Sequence, residues 1–142
     1  MTINTCTYLV VDDHAFARRA ITNELLQLGV AAPDEAANGV EALEKIRKKA
    51  DEGKPYDIVF LDWAMPEMSG YDVLLACRKE ERLKDMAIVM VSAESEDANI
   101  LKAIAEGATA YIPKPFQPEL LVHKLNNIMG WKAGLTELDG DG

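Results

Sequence analysis

Five polar side chains whose combined chemistry suits phosphoryl transfer each come directly after, or within two residues of, a short apolar run: Asp12, Asp13, Asp62, Ser92 and Lys114. Three carboxylates held together would repel one another, which raises their pKa values unless a cation lies among them. Oxygen ligands with access to water suit Mg²⁺, and one such ion with one lysine neutralises the three acids. A carboxylate in such a site can attack phosphorus and become an aspartyl phosphate, while the cation, ammonium and hydroxyl stabilise the transferring oxygens.

Asp62 is the best candidate for the nucleophile, because it stands alone and leaves the adjacent pair Asp12-Asp13 to hold the metal. Taken singly, each residue also has an ordinary structural interpretation. An aspartate or serine after a strand often caps a helix or lies in a turn, and a lysine is usually solvated. The interpretation as one site therefore depends on a fold that brings the five residues together.

The apolar runs are continuous, which is typical of strands covered on both faces of a parallel sheet: Tyr8–Val11, Ile58–Leu61, Met86–Val91 and Ala110–Ile112. Between them, apolar residues recur at helical spacing. Glycines that could end these helices follow at Gly29, Gly53, Gly107 and Gly130. A further strand is predicted around Val30–Ala37, where Pro33 and two acids favour an edge position.

The sequence therefore predicts an α/β domain in which strand and helix alternate five times, (βα)₅. Right-handed crossovers would place helices on both faces of a doubly wound parallel sheet. Asn38 with Glu41 predicts a capped helix start, and Pro118 suits a first helical position. Ligands of such sheets bind at the carboxyl ends of the strands, where all five polar residues would meet.

Composition excludes several other classes of protein. The 142 residues suit one domain, and 15 basic against 24 acidic side chains give a net charge of −9, which disfavours nucleic acid as a partner. Every apolar run is far shorter than the ~20 residues of a membrane helix, and the opening residues do not resemble a signal peptide. We expect a soluble, cytoplasmic domain. The two cysteines form neither a disulfide framework nor a metal site, and His14 and His123 are interpreted as surface residues, not ligands.

Four motifs together resemble the receiver domains of bacterial two-component response regulators: Leu9-Val10-Val11-Asp12-Asp13, Leu61-Asp62-Trp63-Ala64-Met65-Pro66, Val91-Ser92-Ala93-Glu94 and Lys114-Pro115-Phe116. Their order and spacing are similar to those of the family over about residues 5–130. Within it, the stand-alone chemotaxis regulators of the CheY type are most similar. The resemblance implies a flavodoxin-like fold with strand order 2-1-3-4-5. Composition indicates a short acidic tail over residues 131–142, which we expect to be mobile.

The resemblance implies that Asp62 accepts a phosphoryl group from the phosphohistidine of a sensor histidine kinase. Asp12 and Asp13 would bind Mg²⁺, one of them through water. Asp62 and the backbone carbonyl of Ala64 would complete the protein ligands. Such a protein is a phosphoacceptor switch and not a conventional enzyme.

The other motif residues would sense the phosphoryl group. Ser92 would donate a hydrogen bond to it, and Lys114 would pair with it across a cis bond to Pro115. Tyr111 would be the switch aromatic, turning inward as Ser92 moves toward the phosphate. Glu94 would modulate the rate of phosphoryl loss by shielding the group or positioning a phosphatase.

Ala64 is a second rate-modulating position, because many relatives carry a polar side chain there. Phosphorylation would change the face formed by residues 96–105 and 121–126, where a downstream protein would bind. That partner would be a flagellar switch protein in chemotaxis-type signalling, or a phosphotransfer protein if the chain is a phosphate shuttle or sink. A receiver-like adaptor that never takes phosphate is a further alternative.

Two other classes fit the residues less well. A haloacid-dehalogenase-type phosphatase needs a second carboxylate two residues after its nucleophile, and Ala64 stands there. A flavin carrier on the same fold needs a loop rich in serine and threonine after the first strand, to bind phosphate. This chain has Asp12 and Asp13 in that loop, and they would repel a phosphate.

Overall fold

The computed structural model describes residues 2–93 and 97–134, and within them the expected parallel sheet is present. Its strands are β1 (Tyr8–Val11), β2 (Asp34–Ala36), β3 (Ile58–Asp62), β4 (Ala87–Ser92) and β5 (Ala110–Pro113). They are all parallel and lie in the order β2-β1-β3-β4-β5. The predicted (βα)₅ class and strand order are therefore confirmed.

One helix follows each strand: α1 (Ala15–Gln27), α2 (Gly39–Asp51), α3 (Gly70–Arg78), α4 (Asp97–Ala105) and α5 (Pro118–Lys132). Side chains of β1, β3 and β4 alternate between two apolar clusters, one on each face of the sheet. Helices α2, α3 and α4 contribute to one cluster, and α1 and α5 to the other. Because both faces are covered, the central strands are apolar at every position up to the last. Within the ranges given above, no helix has the length and apolar character needed to cross a membrane.

Strand β2 lies at the edge of the sheet, as its composition predicts. Its register with β1 pairs Leu9 with Asp34 and Val11 with Ala36. Asp34 is exposed, and its Oδ2 accepts a hydrogen bond of 2.6 Å from the Tyr56 hydroxyl. An edge strand tolerates exposed acidic residues, because only one of its two edges hydrogen-bonds to another strand.

The predicted helix starts are also present. The Asn38 side chain caps α2 by accepting a 2.8 Å hydrogen bond from the Glu41 amide. The Glu41 carboxylate accepts from the Ala37 amide at 3.2 Å, one residue earlier than in a regular capping box. Pro118 begins α5, where its missing N–H costs no helical hydrogen bond.

The end of α5 differs from the prediction, which placed a helix-ending glycine at Gly130 and the tail from residue 131. The helix continues through both positions to Lys132, and Gly134, with φ 74°, follows it. Tertiary contacts explain the extension. Trp131 packs against the apolar cluster beneath α5, and Lys132 Nζ donates a 2.6 Å hydrogen bond to the Asp85 carbonyl. Residues 135–142 of the predicted tail lie outside the described residues.

Gly70 positions the end of the central strand. Its amide donates a 2.8 Å hydrogen bond to the Trp63 carbonyl, which closes the loop between β3 and α3. A Cβ at position 70 would lie 2.0 Å from the backbone oxygen of Asp62. Helix α3 can therefore start directly against Asp62 only because residue 70 has no side chain.

We expect Gly70→Ala to destabilise the protein by about 2–3 kcal/mol, because the Asp62 carbonyl must move to admit the methyl group. Moving that carbonyl also displaces the Asp62 carboxylate, so divalent cations should bind more weakly. Urea unfolding and calorimetric titration with Mg²⁺ measure the two effects.

Gly53→Ala is the control, because its Cβ would meet nothing within 4 Å although the φ of 78° is unfavourable for alanine. It should lower stability by about 1 kcal/mol and leave cation binding unchanged. Cation affinity in Gly70→Ala equal to that of the parent chain would contradict the positioning role of Gly70.

Candidate functional site

The predicted site residues meet at the carboxyl edge of the sheet. Asp12, Asp62 and Ser92 are 1%, 4% and 3% exposed. They end or directly follow the adjacent strands β1, β3 and β4, whose register is fixed along their length. Lys114 follows β5, and its amide donates a 3.0 Å hydrogen bond to the Ser92 carbonyl, which extends the pairing of β4 and β5 past the last strand residue.

The Lys114 ammonium bridges the two buried carboxylates. Its Nζ lies 2.6 Å from Asp12 Oδ2 and 3.1 Å from Asp62 Oδ1. The Lys114–Pro115 peptide bond is cis, as the resemblance implied. Residues 102 positions apart in the chain thus form one ion-paired cluster.

The Asp12 carboxylate is held from its other side by the backbone. Asp12 Oδ1 accepts a 2.9 Å hydrogen bond from the His14 amide at the start of α1. The Asp12 carbonyl accepts a 2.7 Å hydrogen bond from Arg18, whose Nε also donates to Glu35 at 2.8 Å. Sequence reasoning missed this role of Arg18, because the Arg18–Glu35 pair is formed only once β2 has paired with β1.

Burial is the largest influence on the Asp62 carboxyl and raises its pKa, and the negative charge of Asp12 raises it further. The hydrogen bond and positive charge of Lys114 oppose these effects but do not cancel them. For Lys114 itself, burial lowers the pKa. The hydrogen bonds to Asp12 and Asp62 outweigh burial, so the net shift is upward. The cluster therefore holds a charged lysine and still lacks enough positive charge for its acids.

The surroundings of Asp13 indicate that a metal ion could supply the missing positive charge. Its Oδ1 is buried and accepts no hydrogen bond from any residue in the described ranges. Asp12, Asp13 and His14 each place a possible ligand atom within 4.8 Å of the others. His14 Nδ1 lies 3.2 Å from Asp13 Oδ1 but does not donate a hydrogen bond to it. A buried carboxylate oxygen that accepts no hydrogen bond is costly unless a positive charge satisfies it, so these residues fit a divalent metal ion. Ala64, whose carbonyl was predicted as a ligand, lies in the exposed loop just after Asp62.

Tyr111 already lies inward in this structure, the position in which the resemblance places it after phosphorylation. The residue is 7% exposed and belongs to the apolar cluster that also contains Ala103 of α4 and Met90 of β4. Met90 is its direct partner in the sheet, two residues before Ser92. The predicted switch residues Ser92 and Tyr111 are therefore on neighbouring strands. Ser92 is the last residue of β4, at the carboxyl edge of the sheet, and Tyr111 packs in the cluster that contains Ala103 of α4. Glu94, predicted to modulate the rate, lies outside the described residues, as does Glu96 of the predicted output face.

A second set of contacts runs from the loop after Asp62 to α4. The Trp63 ring stacks on the Tyr71 ring with centroids 5.2 Å apart and planes 19° apart. The Lys102 ammonium of α4 lies 4.8 Å from the Tyr71 centroid. Sequence reasoning missed Tyr71 and Lys102, because an aromatic in the first turn of one helix and a lysine in another carry no local signal of contact.

Comparisons with known proteins agree with this geometry. The family model for the response regulator receiver domain matches residues 8–126. The chemotaxis protein CheY1 of Helicobacter pylori is 40% identical over 86% of this chain and 95% of its own. The structure of chemotaxis protein CheY4 of Vibrio cholerae has a TM-score of 0.76 at 31% identity, covering 87% of this chain and 98% of that one. A CheX-CheY-BeF₃-Mg²⁺ complex from Borrelia burgdorferi has a TM-score of 0.80 at 27% identity, covering 87% of this chain and 89% of that one.

The raised pKa of Asp62 predicts a stability effect with a definite sign. Because the folded protein holds a proton there more readily than the unfolded chain, ionisation of Asp62 destabilises the metal-free fold as pH rises past the usual carboxyl range. Asp62→Asn removes that charge and keeps an oxygen for Lys114. We expect the unfolding temperature of the metal-free variant to be about 3 °C or more higher than that of the parent chain at pH 8. This difference should become smaller at acidic pH. Thermal unfolding in the presence of a chelator measures the two unfolding temperatures.

Asp85→Asn is the matched control, since Asp85 is an exposed acid next to the opposite end of β4. It makes the same change in net charge and should leave the unfolding temperature nearly unaltered. A lower unfolding temperature for Asp62→Asn than for Asp85→Asn would show that the lysine pair, not the repulsion, dominates the site.

Proposed function

The chain belongs to the response regulator receiver domain family, and from that membership we propose that Asp62 is its phosphoacceptor. The observation that carries the proposal is the bridge from Lys114 to Asp12 and Asp62. It puts a buried carboxylate at the end of the central strand, beside a second buried acid and an ammonium. This is the arrangement that an attacking carboxylate and a developing phosphoryl charge require.

In the proposed reaction, a carboxylate oxygen of Asp62 attacks the phosphorus of a phosphohistidine as the bond from phosphorus to the donor imidazole breaks. Lys114 favours the ionised nucleophile, because its hydrogen bond lowers the pKa that burial raises. As the phosphoryl group arrives, the same ammonium can pair with its oxygens. The Ser92 hydroxyl, on the neighbouring strand, would donate a further hydrogen bond to them.

Asp12, Asp13 and Asp62 with the carbonyl of Ala64 are the proposed ligands of Mg²⁺. The ion would supply positive charge to the transferring oxygens when bound. The buried Asp13 oxygen that accepts no hydrogen bond from the described residues supports this assignment. The CheX-CheY complex from Borrelia burgdorferi contains Mg²⁺ and BeF₃. The receiver domain of the Arabidopsis thaliana histidine kinase CKI1, 27% identical over 90% of this chain and 92% of that one, forms a complex with Mg²⁺ and BeF₃⁻ (TM-score 0.77).

Receiver domains are phosphoacceptor switches, and we propose that this chain performs no other catalysis. The residue two positions after Asp62 is Ala64, which offers no acid or base to activate water. Ala64 and Glu94 are the proposed rate-modulating positions, one beside the acceptor and one after Ser92. Hydrolysis of the acyl phosphate would then depend on them and on a phosphatase.

The proposed donor is a sensor histidine kinase, and the proposed output is a protein that binds the face of α4, β5 and α5. Similarity to chemotaxis proteins favours a flagellar switch protein as that partner, and a phosphotransfer protein would indicate a shuttle or sink. The net charge of −9 argues against nucleic acid. Because the kinase would draw on ATP, the proposed location of this signalling is the cytoplasm.

We expect the protein with Mg²⁺ and acetyl phosphate to gain one phosphoryl group, and Asp62→Asn to gain none. Lys114→Met should slow the uptake by at least about tenfold, because it removes a charge that stabilises the transferring oxygens. Removal of divalent ions with a chelator should prevent uptake. Intact-protein mass spectrometry over a time course measures all three.

Asp85→Asn controls for the loss of one acid and should be phosphorylated like the parent chain. Undiminished uptake by Asp62→Asn would reject Asp62 as the acceptor. Absence of uptake by the parent chain from both acetyl phosphate and a phosphorylated kinase domain would favour the adaptor that never takes phosphate.

The proposed switch makes Tyr111 respond to phosphorylation through Ser92. We expect ¹⁹F NMR of the protein labelled with 3-fluorotyrosine to show a shift of the Tyr111 resonance on adding BeF₃⁻ and Mg²⁺, assigned with Tyr111→Phe. Ser92→Ala should bind the mimic and show a smaller shift. Tyr8, whose hydroxyl donates to the Ile3 carbonyl near the amino end of β1, is the internal control. Equal Tyr111 shifts with and without the serine hydroxyl would contradict the coupling.

A further inference from the structure

We propose that His14 is an additional ligand of the cation site and widens its selectivity from Mg²⁺ toward transition metals such as Mn²⁺, Ni²⁺ and Zn²⁺. The inference rests on the proposed metal site of Asp12 and Asp13. His14 directly follows these acids, and its side chain is 76% exposed at the mouth of the site. Its Nδ1 lies 3.2 Å from Asp13 Oδ1 and 3.6 Å from Asp12 Oδ1.

These distances suit ligands of one ion. With metal–ligand bonds of about 2.1 Å, adjacent ligands of an octahedral ion lie about 3 Å apart. The Nδ1–Oδ1 separation of 3.2 Å between His14 and Asp13 is close to that value. The Asp13 oxygen in this pair is the buried one that accepts no hydrogen bond from the described residues. A cation shared by the two side chains would satisfy it.

The backbone also favours this placement. His14 is the N-cap residue directly before α1, with an extended backbone (φ −96°, ψ 113°). Its amide donates to Asp12 Oδ1 at 2.9 Å, so the residue is anchored on the acid that its ring faces. Arg18, one turn later, holds the Asp12 carbonyl at 2.7 Å. The backbone of His14 is therefore held in place, and its imidazole needs only side-chain rotation to bind a metal ion beside Asp13.

The ligand atoms, carboxylate oxygens with one imidazole nitrogen, determine which metal ions the site prefers. Mg²⁺ prefers oxygen ligands and retained waters and gains little from an imidazole. Imidazole suits the first-row transition metals, whose affinities at a site with nitrogen and oxygen ligands rise from Mn²⁺ to Ni²⁺ and Cu²⁺. The interpretation of His14 as a surface residue is therefore incomplete. It misses that three consecutive residues here, Asp12 to His14, all carry metal-binding groups.

The alternative is a protonated His14 that neutralises the acids without binding a metal, and it predicts a different change in metal affinity when His14 is removed. A positive imidazolium would compete with every cation, so its removal would strengthen Mg²⁺ and Ni²⁺ binding alike. A ligand role predicts that removal weakens Ni²⁺ binding and leaves Mg²⁺ binding nearly unchanged. The two explanations therefore differ in the sign of one measurable change.

The test compares His14→Gln with the parent chain by calorimetric titration of Mg²⁺ and of Ni²⁺, on full-length protein freed of any histidine tag. We expect Ni²⁺ affinity to fall about tenfold or more and Mg²⁺ affinity to change less than about twofold. Electron spin echo spectroscopy of the Mn²⁺ complex should show coupling to an imidazole nitrogen in the parent chain and none in His14→Gln.

His123→Gln is the control, because His123 is the other histidine and lies exposed on α5. It should retain the nitrogen coupling and both affinities. Unchanged Ni²⁺ affinity in His14→Gln, a gain in affinity for both ions, or no nitrogen coupling in the parent chain would overturn the inference. Failure of the parent chain to bind Mg²⁺ at all would instead refute the proposed metal site, so the two failures are distinguishable.

Discussion

The repulsion between two buried carboxylates, bridged by one ammonium, is the interaction on which the rest of this structure depends. Asp12 and Asp62 follow or end adjacent strands whose register is fixed by continuous pairing, so they cannot move apart without breaking the sheet. Lys114 lies within hydrogen-bonding distance of both. Burial and the neighbouring acid still leave the pKa of Asp62 raised. The fold thus maintains a deficit of positive charge that a cation can fill, and the proposed phosphoryl group would change this balance by adding negative charge.

That deficit can be held in place only by rigid surroundings. The absence of a side chain at Gly70 lets α3 begin against the Asp62 carbonyl, and the backbone of His14 holds one oxygen of Asp12. Both restraints use main-chain groups, which cannot rotate away as side chains can. The two carboxylates are therefore held in place. In the proposed reaction Lys114, on a long flexible stem, would shift from Asp12 to an incoming phosphoryl oxygen.

The sequence predicts the sheet well, because continuous apolar runs can be buried only between two helical layers. It predicts the convergence of the candidate site residues almost as well, because the carboxyl ends of parallel strands must meet and Asp12, Asp62, Ser92 and Lys114 each end or directly follow a strand. Sequence-based prediction fails where contacts between distant parts of the chain determine the local structure. Helix α5 passes Gly130 because later residues of the helix find partners, which no local pattern indicates. The roles of Gly70, Tyr71 and Lys102 depend likewise on contacts between separate helices and loops, and the function of Glu94 stays a prediction.

Under the proposed function, two routes would lead from the acidic site to α4, and their physical character differs. One runs through Ser92 to the buried ring of Tyr111, which packs in the same apolar cluster as Ala103. The other runs from Trp63 over Tyr71 to Lys102 on the surface of α4. A ring that leaves an apolar cluster exposes much apolar area, whereas a cation at a solvated ring loses little when it moves away. Tyr111 should therefore determine the position of α4, and the Lys102 contact should adjust it. Both routes end at adjacent residues of one helix, so a change at the proposed phosphoacceptor, Asp62, would act on α4 from two sides.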